Sequence, residues 1–269
     1  MIRRSNLFWG GVLVILGAVF LVDSLGILTI NIWGIFWPLL LILFGAWVLM
    51  GYFFRGNPVE GEAASVPLEG ARKARITIQH GAGRLTIGAG ADPMDLVSGT
   101  FGGGLNVHTR QDGETSHVTL RVRDLGFPMV FFPWVWGPHS MLEWNVSLTD
   151  EIPLELKLNT GASDTRLNLT DLQITDLWVE TGASATEIYL PDSVAYTKTV
   201  VKSGAASVAI HIPEDVAAKI RISGGLMSAN VDRQRFPKSG GYYQSPDYES
   251  APYKTEIRVE SGVGSVTVR

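Results

Sequence analysis

The sequence contains no cysteine, so disulfide bonds, thiolate zinc sites and cysteine nucleophiles are excluded. Basic residues are not in excess, because 22 Lys and Arg stand against 26 Asp and Glu, and this balance argues against nucleic acid as a partner. The five histidines are dispersed, and no pair has helical or hairpin spacing with a carboxylate that would indicate a metal site. We therefore expect a non-enzymatic protein without a metal or a cofactor.

Two long apolar runs stand near the start of the sequence. Residues 7–22 carry no charge, and a second apolar run extends over residues 32–54, which predicts two membrane helices. A secretory signal peptide is the alternative for the first run, since Arg3 and Arg4 precede it. No small-x-small cleavage site follows that run, however, and the second span begins within ten residues. We therefore expect a two-helix transmembrane hairpin over residues 1–55.

The arginines around the hairpin predict its orientation. Arg3 and Arg4 precede it and Arg55 follows it, whereas the connecting residues 23–31 contain neither Lys nor Arg. By the positive-inside rule both ends then lie in the cytoplasm, which predicts a multi-pass plasma-membrane protein with a cytoplasmic C-terminal domain. A single span would reverse that side. Residues 56–72, rich in small residues, Pro and Glu, are typical of a linker.

Three similar phrases follow one another in the second half of the chain: LKLNTGASDTRLNL, LWVETGASATEIYL and TVVKSGAASVAIHI. In each, alternating apolar residues lead into a glycine turn and out again, which predicts strand, turn and strand. The turn recurs at intervals of 21 and 22 residues, and a fixed period of this length indicates repeat architecture. We therefore predict an all-β fold, a glycine-punctuated single-sheet β-solenoid, over residues 73–269. The predicted repeat corners are Gly81, Gly161, Gly182, Gly204, Gly224 and Gly262.

Glycine suits these corners because a sharp corner often needs a positive φ. The small residues after each glycine let successive corners stack about one strand spacing, ~4.8 Å, apart. We expect Leu167, Ile188 and Val208 to stack in the core behind the column of corners.

An aromatic segment interrupts the strand pattern within residues 125–144. It presents Phe131, Phe132, Trp134 and Trp136 almost consecutively among prolines, and it is too short to span a membrane. Large apolar patches are normally buried, paired or bound to a membrane. The segment therefore either closes the solenoid core or docks the β domain on the lipid bilayer or on a membrane partner.

A tyrosine-rich segment precedes the last repeat. Tyr242, Tyr243, Tyr248 and Tyr253 lie among Ser, Pro and Asp within residues 240–253. Tyrosine can cover apolar edges while its hydroxyl stays in water. We expect this segment to cap the last rungs rather than to bind a ligand.

The chain as a whole resembles LiaF-type bacterial membrane proteins. The run IWGIFWPLLLILFGAWVL resembles their membrane region, and the repeats ending in SGGLMSANV, GGYYQSPDY and VESGVGSVTVR resemble the toast-rack β domain. The resemblance implies a cell-envelope protein linked to the sensing of cell-wall or membrane stress through a partner sensor histidine kinase. It supplies no catalytic residue.

Two function classes follow from these features. The first is a membrane-anchored regulatory or interaction module in envelope-stress sensing, with the lipid bilayer and a membrane sensor kinase or another membrane protein as partners. The second is a structural scaffold that self-associates through the β-solenoid as a homo-oligomer. Open sheet edges and rung ends tend to aggregate unless capped, and the chain ends in a charge at Arg269, which favours the first class.

Overall fold

The computed structural model describes residues 37–45, 61–123 and 142–269, which fall in two units. The first unit contains one described helix, α1, over residues 37–45, and its large apolar side chains are exposed on all sides. Within the described part of the chain, no helix has the length and apolar character needed to cross a membrane. The rest of the predicted hairpin lies outside the described residues, as do Phe131, Phe132, Trp134 and Trp136 of the 125–144 segment.

The second unit is built from strands. They are β1 Glu62–Pro67, β2 Lys73–Ala89, β3 Asp95–Phe101, β4 Leu105–Asp112, β5 Thr115–Val122, β6 Glu143–Leu148, β7 Leu154–Asn168, β8 Ile174–Tyr189, β9 Tyr196–His211, β10 Ala217–Val231, β11 Lys238–Ser239, β12 Tyr242–Gln244 and β13 Lys254–Val268. All thirteen belong to one sheet.

Six long strands form the rungs of a solenoid. They stack in parallel in the order β2, β7, β8, β9, β13, β10, and each bends at a glycine. In β7 the buried side chains before the bend include Leu156 and Leu158, and those after it include Thr165 and Leu167. The inward-facing side chains are even-numbered before the bend and odd-numbered after it. Both halves of the rung therefore turn their apolar face to one core. The predicted all-β, single-sheet β-solenoid is confirmed.

The register of the rungs follows the 21- and 22-residue intervals. Leu167 pairs with Ile188, and Ile188 pairs with Ile210. The prediction that Val208 is the third member of this core column is wrong. Val208 pairs with Thr186, which lies two residues before Ile188 on the same face of β8. The corners Gly182 and Gly204 are 22 residues apart, and the residues after these corners pair with the same offset. The partner of Ile188 is therefore Ile210.

The last strand of the chain is not the last rung. Although β10 follows β9 along the chain, β13 lies between them, parallel to both. Val259 of β13 pairs with Val201 of β9 on one side and with Ile222 of β10 on the other. The long interval between Gly224 and Gly262 therefore holds β11, β12 and turns.

The N-terminal end of the solenoid is completed by shorter strands. β5 pairs with the first half of β2, and β4 pairs with β5. β6 pairs with the second half of β2, β3 pairs with β6, and β1 pairs with β3. β1 lies inside residues 56–72, which the sequence predicts to be a linker, and its Val66 is buried. β6 likewise contains Trp144, the last residue of the predicted aromatic insertion, with its side chain fully buried.

Candidate interaction surface

The corner glycines of β7, β8, β9 and β13 stand in one column, and backbone crowding explains why they are glycine. A Cβ on Gly182 would lie 2.9 Å from the carbonyl oxygen of Gly161, and a Cβ on Gly204 would lie 2.9 Å from that of Gly182. Real Cβ atoms do not approach oxygen this closely without displacement of the backbone, so any larger residue would push the rungs apart.

The expectation that these corners need a positive φ is wrong. Positive φ occurs at Gly83 and Gly264, two residues after a corner, and at none of the six predicted corner glycines. The requirement at the column is therefore close approach between stacked backbones.

At the β2 end of the column a Cβ on Gly81 would meet nothing within 4 Å. The predicted corner Gly224 is wrong, because Gly224 pairs with Ser261 and the glycine of β10 in register with Gly262 is Gly225. A Cβ on Gly225 would lie 3.0 Å from the Gly262 carbonyl oxygen.

A polar side chain precedes the corner glycine in five of the six rungs. Going through the stack these residues are His80, Thr160, Thr181, Ser203 and Ser261, and Gly224 takes this position in β10. The Ser203 hydroxyl donates to Ser261 Oγ at 2.9 Å, while the buried hydroxyls of Thr160 and Thr181 have no hydrogen-bond partner among the described residues. Sequence reasoning missed this column, although its signal, a polar residue before the glycine, is present in the repeats.

A shallow groove of about 480 Å³ runs over these corners at the C-terminal side of the stack. Glu180, Lys202 and Glu260 line it, and Lys202 Nζ lies 3.3 Å from Glu260 Oε2. The same ammonium lies 5.2 Å from the centroid of the Trp178 ring. The described residues contain no cluster of three or more His, Asp or Glu side chains that could hold a metal ion.

On the part of the rungs that follows the corner, the outer face carries a hydrogen-bond network centred on Glu187. Arg166 Nη2 donates to Glu187 Oε2 at 2.7 Å, and the Tyr189 hydroxyl donates to Glu187 Oε1 at 2.8 Å. These hydrogen bonds, Arg166 first, lower the pKa of Glu187. The Tyr189 ring stacks on His211, with centroids 4.2 Å apart. Arg166 is exposed, while Glu187, Tyr189 and His211 are half-buried.

His80 and Trp144 form a buried cluster at the N-terminal end. The Trp144 indole N–H donates to the Gly102 carbonyl at 2.9 Å, and its ring meets Phe101 edge-on at 5.0 Å. His80 Nε2 lies 3.0 Å from the Leu142 carbonyl oxygen, and Nδ1 has no partner in the described part of the chain. Burial lowers the pKa of His80, and the hydrogen bond to Leu142 opposes that shift only in part.

The predicted docking residues Phe131, Phe132, Trp134 and Trp136 lie outside the described residues, and their role stays a prediction. The described residues on either side of the segment both belong to the N-terminal end of the solenoid. Arg123 N–H donates to the Gly104 carbonyl at 3.1 Å, and the Leu142 carbonyl accepts from Arg84 N–H at 3.2 Å.

The tyrosine-rich segment lies against the C-terminal rungs. Tyr243, in β12, packs against the main core, and Tyr248 is buried against Ala217 and Ala251. Tyr242 is partly exposed beneath the Lys219 ammonium, which lies 4.8 Å from its ring centroid.

Comparison with known families agrees with this architecture. The family described as the N-terminal domain of toast_rack, DUF2154, matches residues 55–211, more than half of the chain. The chain belongs to the toast-rack family. The match ends at the last residue of β9, so β10 to β13 lie beyond the matched part of the toast-rack domain.

Two further matches, one to a family of transmembrane regions and one to a solved structure, were found for the toast-rack chain. Residues 7–49 match the LiaI-LiaF-like transmembrane region, which makes it a membrane protein of the LiaF-like kind. A crystal structure of a "putative cell adhesion protein" from Clostridium sporogenes shares 21% identity and superposes with a TM-score of 0.68, covering 79% of this chain and 99% of that one. At that identity the likeness concerns the fold alone. A search of curated proteins gave no match.

Proposed function

We propose that this toast-rack protein is a regulatory module of the bacterial cell envelope, which binds a membrane sensor kinase or another membrane protein and takes part in envelope-stress sensing. The observation that carries the proposal is the match of residues 7–49 to the LiaI-LiaF-like transmembrane region, directly followed by a toast-rack domain from residue 55. In this proposal residues 1–55 form a two-helix hairpin, and the β domain faces the cytoplasm.

A binding role rather than catalysis suits the described surface. The groove over the corners is shallow, and its charged residues, Glu180, Lys202 and Glu260, lie on the outer side of the rungs. Neither of the two matched families is an enzyme family. Rigid stacked rungs with charged and aromatic side chains at fixed spacing present an extended surface for a protein partner.

The aromatic segment is the part of the chain to which we assign docking. Phe131, Phe132, Trp134 and Trp136 supply large side chains that favour the membrane interface or a protein interface. The segment enters and leaves the solenoid at its N-terminal end, beside Arg123 and Leu142. A partner held there would leave the outer faces of the central rungs open to solvent.

Reporter fusions after Arg269 test the orientation. A fluorescent protein that matures only in the cytoplasm should fluoresce, and an alkaline phosphatase that is active only outside the cytoplasm should be inactive. The opposite pair of results would place the β domain outside and overturn the cytoplasmic assignment.

Photo-crosslinking in living cells tests the partner. A photoreactive amino acid placed at Trp134 of the full chain should give an adduct with a second membrane protein. The same amino acid at Gln111, exposed on β4, serves as the matched control and should give none. Absence of any adduct from Trp134 contradicts docking by this segment, and an adduct of two identical chains favours the self-associating scaffold instead.

A further inference from the structure

Among the residues that the structure describes, the outer edge of β10 has no partner strand along most of its length. β12 pairs only with Lys219 and Ile220, and from Ile222 to Val231 no strand of the described residues lies on the outer side of β10. Alternate residues of such an edge direct their backbone N–H and C=O groups away from the sheet, which makes the edge a template for another strand.

This edge lacks the protection that the opposite end of the solenoid has. Residues 222–231, ISGGLMSANV, contain no charged residue and no proline. The edge strands at the N-terminal end differ, since β4 carries Arg110 and Asp112, and β1 carries Glu62 and Pro67. Charges and proline on an edge discourage pairing with other chains, so their absence from β10 marks this edge as available for pairing.

The core is also open beside this edge. Ala229 pairs in register with Val266, whose side chain is fully buried, so Ala229 faces the same interior, yet Ala229 itself is exposed. On the outer face Leu226 is 82% exposed and its neighbour Val263 is 52% exposed. Apolar surface therefore lies on both faces of the free edge.

We propose that a second copy of this chain pairs with this edge, strand β10 against strand β10, antiparallel about a twofold axis that passes beside Ser228. Residues of antiparallel partners that face each other point to the same side of the sheet, so the axis must pass beside one residue. Leu226–Val231 is the straight half of β10 beyond the corner, and Ser228 is next to its centre. In this register Met227 covers the partner's Ala229, and the two cores join.

The open core favours a second copy in this orientation. Residues 222–231 carry no charge, so pairing this stretch with itself brings no like charges together. The twofold axis also places the exposed Ala229 of each copy on the same side of the joined sheet as the open core of the other. A twofold contact also occupies both edges at once and stops at a dimer, because the opposite, charged end of the solenoid takes no part. The pairing goes beyond the proposed regulatory role and does not depend on it.

Cysteine crosslinking of the full chain in isolated membranes tests the pairing directly, because the natural sequence has no cysteine. Antiparallel neighbours have Cα atoms about 5 Å apart, within disulfide range. Ser228→Cys should therefore form a covalent dimer on mild oxidation. Thr109→Cys, also exposed and on the charged edge strand β4, is the matched control and should stay monomeric. Equal yields from both variants, no dimer from Ser228→Cys, or an adduct with a different protein each overturn the proposal.

Charge reversal separates loss of pairing from loss of folding. Ser228→Lys places two lysines across the twofold axis and should lower co-purification of differently tagged copies about fivefold. Ser228→Glu should do the same. Co-expression of one Lys copy with one Glu copy should restore co-purification, since the two charges then attract. Unchanged co-purification of Ser228→Lys, or no recovery in the mixed pair when both variants reach normal membrane levels, contradicts the twofold contact at this residue.

Discussion

The central rungs and the N-terminal rung of the solenoid are stabilised in different ways. In β7, β8 and β9 each rung meets nearly identical neighbours, and the constraint comes from backbone, with corner glycines packed against the carbonyl oxygens of the rung beside them. At β2 the stack ends, and specific side chains close the core, above all Trp144 and Phe101. A change in the middle therefore disturbs spacing on both sides, whereas a change at the end removes a particular contact.

The largest effect is expected from emptying the N-terminal end of the core. Trp144→Ala removes a fully buried indole and should lower the free energy of unfolding by about 4 kcal/mol. Trp144→Phe keeps much of the apolar volume but leaves the Gly102 carbonyl without its donor, so it should cost clearly less. Urea unfolding of the full chain in detergent, followed by circular dichroism of the strands, measures both. Equal losses from the two variants would mean that packing of the ring does not dominate.

A smaller effect, confined to the middle of the stack, is expected at the corners. Gly182→Ala places a Cβ against the Gly161 carbonyl oxygen and should cost about 2 kcal/mol, since two stacked backbones must move apart. Gly81→Ala is the matched control in the same column, because its Cβ would meet nothing within 4 Å. Its stability should be unchanged or slightly higher, as alanine restricts the unfolded chain. If both variants melt alike, crowding is not the reason for glycine in the central rungs.

The corner pattern also shows how far the sequence predicts this fold. The period from Gly161 to Gly204 predicts strands, corners and stacking, because each repeat must bury the same alternating face. The position of β13 between β9 and β10 could not be predicted, since the phrases around Gly224 and Gly262 are alike and either could follow β9. Backbone crowding at the corners depends on distances between rungs that are far apart in sequence, so glycine there could equally have indicated a positive φ.

The candidate surface was less predictable than the fold. The polar position before most corner glycines could be read from the repeats, but Glu187, Tyr189 and His211 come together only through the register of neighbouring rungs. His80 stands where the central rungs carry threonine or serine, and nothing in the sequence places it beside Trp144. Such contacts arise where the repeat ends, because there the neighbours differ from one rung to the next.

The third prediction concerns pH and again contrasts the two regions. Burial lowers the pKa of His80 below its ordinary value of 6.5, so the folded protein favours the neutral ring. The unfolded chain then binds more protons than the folded one as the pH falls below 6.5, and stability should fall in that range and stay level above it. His80→Thr, which installs the residue found at this position in β7 and β8, should remove up to about 1.4 kcal/mol of this loss per pH unit. Melting curves between pH 7.5 and 5 compare the two, and identical acid sensitivity would exclude His80 as the cause.

The smallest effect is expected on the exposed outer face of the central rungs. Arg166 donates two hydrogen bonds to Glu187, at 3.0 and 2.7 Å, yet its side chain is 61% exposed. Exposed ion pairs contribute little because water and salt screen them and because two long side chains lose freedom when they pair. Arg166→Ala should therefore shift the melting temperature by no more than about 2 °C, and the shift should vanish in 1 M salt. A shift in melting temperature as large as that of Gly182→Ala would mean that ion pairs on the outer face, and not the stacked backbones alone, set the stability of the central rungs.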